Sequence, residues 1–573
     1  MNDKVTKRVS ALAAELLVAS LTAQTPAERA ESRRMARMMN DPRGKTFTVQ
    51  MVDQVFRSHD PARQAARFRS LLEKFGAPAY LTAGQRRLMG LGAVGSRWAP
   101  GLAMRAVASR LRQDTARVIL SAEPAPLQRY LAARRADSIG VIVNQLGEAV
   151  LGEREAAWRL DALLGLLKDP NVTAISVKLS SIHSQLNLLD WEGTLASVCE
   201  RLRRLYQASL PGRKFINLDM EEYRDLHLTV AAFQRVLDEP AFRSLRAGLV
   251  LQAYLPDSWT VLQSLTEWAL ARVAAGGAPI KLRLVKGANL AMETVEAEWH
   301  GWPRAPYSSK AETDANFCRM LDFACDPRRA NAVNLAIGSH NLFDIALGLT
   351  LREERGLASL IEFEMLEGMA PNQARAVQHA AGALMLYAPV VHQDNFNSAL
   401  TYLLRRLDEN TAPENFLRDV FDLTPKSESW QRQRAHFAAS WENRDAAAVD
   451  PRRARALPRP AEGFSNVPDT DWTQQPHRIA LADALARWCG EPKPAPKPEK
   501  VTAALEQMRA AQPAWEASGL EHRAALLQRC AEVMEQGRFD TIACMVHDAR
   551  KAAPEADTEV SEAIDFARYY SQF

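Results

Sequence analysis

Lys281-Leu-Arg-Leu-Val-Lys-Gly-Ala-Asn289 ends an apolar run, opened by Pro279-Ile280, in two cations and a glycine. Runs of this kind read as strands covered on both faces, so the charges stand where the strand leaves the core. The glycine admits close approach of backbone to a ligand. The chain repeats the device: apolar runs close at or near Glu148, Lys178, Asp219, Gln252, Arg283 with Lys286, His340, Glu364 and Tyr387. Carboxylates, ammonium groups, an imidazole and a phenol brought together could move protons or orient a charged small molecule. A buried ion-pair layer is the bland reading, because buried charges pair. Polar groups at every run end exceed what such a layer needs. Past the last run stands Arg405-Arg406, two guanidinium groups diverging by about 100° on a helix. Such a pair suits a carboxylate clamp as well as a solvated face.

These groups must be positioned by the runs themselves. Eight are legible: Gly140 to Asn144, Ala174 to Lys178, Phe215 to Asp219, Gly248 to Gln252, Ile280 to Val285, Ala332 to Gly338, Leu360 to Glu364 and Ala383 to Tyr387. Stretches with helical spacing separate them. Strand and helix alternating eight times imply an α/β protein built as a closed, parallel (β/α)8 barrel, with an open doubly wound sheet as the alternative. Barrel enzymes assemble their sites at the C-terminal strand ends, where the polar residues fall.

The rest of the chain bounds the reading. At 573 residues and 47% hydrophobic it can fill several cores, and 72 basic against 68 acidic residues leave only +4 net charge, which argues against a nucleic-acid or membrane bias of the whole chain. Six cysteines without CxxC spacing form no disulfide framework and suit a reducing cytoplasm. No signal peptide or run of membrane-spanning length is present. Residues 1–125 read as a helical arm or cap, 126–425 as the barrel, 426–500 as a Pro-rich linker and 501–573 as a helical segment. Gly90-Leu-Gly-Ala-Val-Gly95 matches GxGxxG but follows a helical pattern instead of a strand; a loop between helices is expected there.

The motifs Ile175-Ser-Val-Lys-Leu-Ser180, Asn217-Leu-Asp-Met-Glu-Glu222, Leu251-Gln-Ala-Tyr254, Arg283-Leu-Val-Lys-Gly-Ala288, Ser339-His-Asn341, Tyr387-Ala-Pro-Val390 and Tyr402-Leu-Leu-Arg-Arg406 occur in this order. In them the chain resembles the proline dehydrogenase domain of the bacterial bifunctional proline-utilisation flavoenzymes. The resemblance implies FAD-dependent oxidation of L-proline to 1-pyrroline-5-carboxylate, with electrons passed to a ubiquinone-type acceptor at the membrane surface. It also implies a cytoplasmic protein that is peripheral on the inner membrane, with no nucleic-acid partner and no metal.

Residue by residue, Arg405 and Arg406 resemble the family's carboxylate-binding pair, and Glu148 the acid that supports it. Lys178 resembles the lysine beside flavin and substrate; Leu366, Tyr387 and Tyr402 resemble the wall around the proline ring, and Asp219 a barrel carboxylate that orients. For FAD, Arg283 resembles the arginine near flavin N5, with Gln252 beside the ring system. Val285, Gly287, Ala288 and Leu290 would offer backbone along the cofactor. Ser308, Lys310 and Thr313 resemble the loop at phosphate and adenosine; His340, Asn341 and Glu409 complete the set. The chain departs from the family pattern at Asn144, where relatives carry aspartate, and at Asn289, where many carry tyrosine.

Other readings stay open. Lys178 and Lys286 would also serve a Schiff-base aldolase, and a catalytically silent flavin-binding barrel would keep the same strand ends. Ala510-Ala-Gln-Pro-Ala-Trp515 and Ala563-Ile-Asp-Phe-Ala-Arg-Tyr-Tyr570 resemble the first helices of the partner aldehyde dehydrogenase domain. Cys530 and Cys544, expected on helices among core-like neighbours, are poor nucleophiles, so NAD-dependent glutamate-semialdehyde oxidation is expected to be absent from this chain.

Overall fold

Among the described residues nine stretches form parallel strands: β1 (Leu120–Ser121), β2 (Gly140–Gln145), β3 (Ala174–Val177), β4 (Phe215–Leu218), β5 (Gly248–Gln252), β6 (Ile280–Val285), β7 (Val333–Gly338), β8 (Ile361–Leu366) and β9 (Met385–Val391). The structure is a computed structural model and describes residues 2–56, 58, 60–147, 150–393, 399, 402, 415–420, 423–455, 463–488 and 497–572. Strands β2 to β9 pair in chain order, and β9 returns to β2, closing an eight-stranded barrel. The short β1 adds outside the ring, on Val390 and Val391 of β9. The last strand runs further than Ala383 to Tyr387, because the extended run continues through Ala388-Pro-Val-Val391 and pairs Asn144 with Pro389. Tyr387 is therefore the third residue of β9, not its end.

Strand parity divides the side chains. Ile337 and Phe363 face outward, where a Cβ added at Gly348 of helix Leu342–Glu354 would touch them. With them, by the same parity, go Leu249, Leu251, Leu282 and Leu284, all fully buried. The inward set is polar. Near the base, Lys281 lies 4.5 Å over the Phe215 ring and 2.5 Å from Glu362. One layer higher come Ser176, Arg283, Glu364 and Tyr387, with Asp219 just beyond the end of β4.

Local signals place the helices around the ring. Helix Lys310–Ala324 starts on a capping box between Ser309 and Glu312, and helix Leu342–Glu354 on the Asn341 side chain. Helix Pro371–Ala381 stops at Gly382 in the left-handed region and feeds β9. The N-terminal helix Asn2–Thr22 packs on those last two helices, and Arg8 meets Glu353 and Glu354. The GxGxxG match forms no loop: Gly90, Gly92 and Gly95 belong to helix Ala83–Gly95, started by a capping box from Thr82 to Gln85. Nothing crowds those glycines, so no backbone demand explains them.

The barrel and N-terminal helices form one compact unit, residues 1–186, 192–288 and 307–449; a second comprises 187–191, 289–306 and 450–573. The stretch expected as linker contains helices Glu428–Glu442 and Gln475–Arg487. In the second unit Leu481, Ile542, Val560 and Ile564 build a core, beside a buried Arg538–Asp557 pair at 2.6 Å. Cys530 is exposed there, contrary to the expectation of core-like surroundings, because only Ala531 of its helix is buried. Among the described residues, no helix is long and apolar enough to cross a membrane.

Candidate active site

The C-terminal half of the barrel interior is organised by Arg283. Its Nη1 donates to Asp219 at 2.7 Å and its Nε to Glu364 at 2.5 Å. Burial would lower its pKa, but the carboxylates of Glu364 and Asp219 hold it above the ordinary arginine value. Asp219 also accepts from the Ser176 hydroxyl (2.6 Å) and, on its other oxygen, from the Tyr387 phenol (2.7 Å). Burial and the Asp219 charge push that phenol well above its ordinary value. The Arg283 guanidinium stands 5.0 Å over the Tyr387 ring. Five strands, counting β4 through Asp219 at its end, thus contribute to one layer in which a single guanidinium faces two carboxylates.

Among the buried polar atoms in this region without a partner among the described residues are Arg283 Nη2 and Gln252 Oε1. One is a donor and the other an acceptor, on neighbouring strands whose register pairs Val250 with Arg283 and Gln252 with Val285. Gln252 turns its amide nitrogen to the carbonyls of Met220 (3.3 Å) and Glu221 (3.4 Å). That loop carries Glu221, which holds Lys178 at 2.5 Å.

After β6 the chain makes a close approach. Gly287 has φ +121°, and a Cβ there would lie 2.5 Å from the Tyr254 ring. The carbonyls of Val285 and Lys286 accept from the Ala253 and Tyr254 amides at 2.8 and 2.7 Å. Lys286 sits between Asp314 (2.8 Å) and Asp344 (2.9 Å). Burial opposes its charge, yet those two carboxylates hold its pKa above the ordinary lysine value. Lys310 also pairs with Asp314, and burial together with the Lys286 charge pushes Lys310 below its ordinary value. Ser339 donates to Asp344 at 2.8 Å.

The wall opposite is β8. His340 Nε2 accepts the Leu366 amide at 2.9 Å, so the neutral ring carries its proton on Nδ1. The next residue, Glu367, accepts from Tyr130 (2.5 Å) and Arg134 (2.8 Å). Tyr402 packs on Ile119, Val391 and Ala399.

The structure therefore gathers Lys178, Asp219, Gln252, Arg283, Leu366 and Tyr387 around one end of the barrel. Val285, Gly287 and Ala288 follow on the turn after β6, Asn341 caps its helix, and Thr313 donates back to the Ser309 carbonyl at 3.3 Å. Ser308 is exposed ahead of that helix. Leu290 begins helix Leu290–His300 of the second unit. Glu148, Arg405, Arg406 and Glu409 lie outside the described residues. Sequence reasoning passed over Ser176, Glu221, Asp314, Asp344 and Glu367 as site residues and left Glu364 without a role. Strand parity was the available signal for Ser176 and Glu364, which share the inward register of Arg283.

Comparison with known proteins gives a consistent answer. A family model described as proline dehydrogenase matches residues 127–419, just over half of the chain, and one described as the aldehyde dehydrogenase family matches residues 492–573. A solved structure of proline utilization A from Corynebacterium freiburgense is 40% identical, covers 86% of this chain and 48% of its own, and superposes with a TM-score of 0.70. Proline utilization A from Bdellovibrio bacteriovorus, solved after inactivation by N-propargylglycine, covers 100% of this chain and 60% of its own at 26% identity and a TM-score of 0.82. The bifunctional protein PutA of Salmonella typhimurium is 27% identical over 445 residues, 69% of this chain and 32% of that protein. The chain spans about a third of the length of the curated relatives it matches.

Proposed function

The chain belongs to the proline dehydrogenase family, and from that premise we propose that it oxidises L-proline to 1-pyrroline-5-carboxylate with FAD, passing the electrons to a quinone. The observation that carries the reading is the pair of unsatisfied buried atoms, Arg283 Nη2 and Gln252 Oε1. An unpaired buried donor or acceptor costs about 1–3 kcal/mol. A flavin edge carries acceptors and an N–H donor and would satisfy both. Gly287, with no room for a side chain against Tyr254, gives the same region a flat backbone approach. FAD, when bound, would supply the acceptor for the two electrons and the hydrogen leaving the proline ring.

This chain's own residues would bind and orient. Arg405 and Arg406 would fork the proline carboxylate, and Leu366, Tyr387 and Tyr402 would wall the ring from water. Asp219 sets both Arg283 and Tyr387 through its two oxygens, so cation and ring wall are fixed by one carboxylate. Lys178, paired with Glu221 at 2.5 Å, would stand beside flavin and substrate. Lys286, Lys310 and the start of helix Lys310–Ala324 would meet the phosphate end of the cofactor. The aldolase reading loses support here. A Schiff-base lysine must be available as the free amine, whereas Lys286 is held charged by two carboxylates. We keep NAD-dependent aldehyde oxidation out of the activity of these residues.

The reading is tested by the visible spectrum of the FAD-loaded protein before and after anaerobic L-proline. Bleaching by proline and not by alanine is expected. A flavin that stays oxidised would leave a silent flavin-binding barrel, and failure to retain FAD would sink the reading. Arg405→Met is expected to raise the KM for proline strongly with FAD retained; lost FAD at unchanged KM would overturn the clamp.

A further inference from the structure

Helix Lys310–Ala324 ends beside a cleft of about 490 Å³ on the outer side of the barrel, lined by Trp259, Arg319, Phe323, Arg329 and Arg355 together with three aspartates. Its aromatic rings carry two of the cations. The Arg319 guanidinium lies 4.5 Å from the centre of the Trp259 ring and that of Arg329 lies 3.7 Å from the centre of Phe323. The two rings meet edge to face at 5.2 Å. A guanidinium laid on a ring keeps its in-plane N–H groups for an acceptor, and less freedom is lost when it binds one.

Charge is unevenly matched around this cleft. Arg319 is 6% exposed, yet its two Nη atoms donate to neutral groups, the Ala447 carbonyl at 2.8 Å and the Asn316 side chain at 2.6 Å. Its Nε has no partner among the described residues. Buried charges ordinarily sit with an opposite charge, and here burial pushes Arg319 below the ordinary arginine value. Arg329 donates to the Phe323 carbonyl at 3.1 Å, and no carboxylate pairs with it among the described residues. The aspartates are engaged elsewhere. Asp322 pairs with Arg355 and Arg444, Asp326 accepts the Arg328 and Arg329 amides as a helix cap, and Asp445 lies 3.8 Å from Arg444.

We propose that this cleft binds a phosphate-bearing small molecule. One guanidinium fork satisfies a carboxylate, whereas two guanidinium groups without a carboxylate, and a third beside them, suit the several oxygens and double charge of a phosphate. The volume is that of a small-molecule pocket and leaves room for more than the bare anion. A metal cation is disfavoured as occupant, because the carboxylates present are already taken up by arginines and by a helix start.

The cleft stands one side chain away from the end of β5. Asn316, which accepts from Arg319, donates to the Ala253 and Leu255 carbonyls at 2.8 and 3.4 Å, directly after Gln252. An occupant drawing on Arg319 would act on the turn that follows Gln252. Any effect on the cofactor rests on the reading above; binding in the cleft does not.

The test is calorimetric titration of the FAD-loaded full chain with pyrophosphate, so that the cofactor's own phosphate contacts are already filled. Saturable binding of one pyrophosphate per chain is expected, weakened by salt, with acetate failing to bind at the same concentration. Phenylglyoxal labelling followed by peptide mapping should show Arg329 and Arg355 shielded by pyrophosphate. Arg329→Gln, at a partly exposed position, should lose at least about tenfold in pyrophosphate affinity with FAD content unchanged. Arg319→Lys keeps the charge without the fork and should show a similar loss. No saturable binding, shielding confined to other arginines, equal binding of acetate, or an undiminished affinity in either folded variant overturns the proposal. Pyrophosphate bound at these arginines by a chain whose flavin proline does not bleach would instead fail the catalytic reading and leave the site intact.

Discussion

Arg283 and Asp219 meet at 2.7 Å inside the barrel although the whole of β5 separates the strands that carry them. On its other side Arg283 reaches past β7 to Glu364 on β8 at 2.5 Å. The guanidinium fork makes both contacts at once and keeps Nη2 for a ligand. Removing it would strand two buried carboxylates. Arg283→Met should therefore cost about 3–5 kcal/mol of apoprotein stability, read from denaturant midpoints. Arg283→Lys should recover part of that stability but not cofactor affinity, since an ammonium lacks the fork. Wild-type stability of Arg283→Met would contradict the pairing of both carboxylates by one guanidinium.

Gln252 allows a separation of folding from binding. Its amide nitrogen makes two long contacts, at 3.3 and 3.4 Å, and its oxygen makes none among the described residues. Gln252→Met should leave apoprotein stability within about 1 kcal/mol of wild type, because a lost weak donor is offset by a removed unsatisfied acceptor. FAD affinity should fall about tenfold or more, as expected for one buried hydrogen bond. Calorimetric titration of the apoprotein with FAD checks it, and unchanged affinity would remove Gln252 from the cofactor site.

The same residues show how far the sequence carries. Strands buried on both faces announce themselves as continuous apolar runs, so eight were legible with ends mostly correct within a residue or two. The run through Pro389 was cut short because proline argues against a central strand, and the two-residue β1 is too brief to carry a period. The polar strand ends were legible as a set, since Arg283, Gln252 and Asp219 interrupt apolar runs. Their partners were not. Asp219 and Glu364 lie 64 and 81 residues from Arg283, and Lys286 meets Asp314 and Asp344 on helices from later repeats. Such pairings are set by barrel closure, which no local window contains.

Tyr387 combines ring wall and hydrogen-bond donor, and Tyr387→Phe divides the two. The variant keeps the ring but leaves an Asp219 oxygen without its 2.7 Å donor. A loss of about 1–3 kcal/mol in kcat/KM for proline is expected, with FAD content unchanged. Burial and the Asp219 charge raise the phenol's pKa, so it stays protonated below its ordinary value of about 10. The wild-type pH profile should accordingly show no limb that Tyr387→Phe abolishes below that pH. A wild-type limb missing from the variant would contradict the assignment.

Glu28 ties the N-terminal segment to the barrel in a pH-dependent way. It lies in the first turn of helix Pro26–Met39, accepts from the Thr25 amide in the capping box, and reaches Arg375 of helix Pro371–Ala381 at 2.7 Å. The hydrogen bond from Arg375 lowers its pKa to about 2, despite an opposing contribution from burial. A depressed carboxylate stabilises the folded state above its unfolded pKa, and that contribution is lost as pH falls through the folded value. The window is therefore from the ordinary value of 4.5 down to about 2. The side chain is 13% exposed while Arg375 is 40% exposed, so solvent screening keeps the contribution nearer about 1 kcal/mol than the full shift implies. Hydrogen exchange of residues 2–39 should accelerate as pH is lowered through that window, after correction for the intrinsic rate. Glu28→Gln should show the faster exchange already at neutral pH and no further acid dependence from this pair. An acid dependence unchanged in Glu28→Gln would assign the loosening to another carboxylate and leave the Glu28–Arg375 contact without a role in holding the segment.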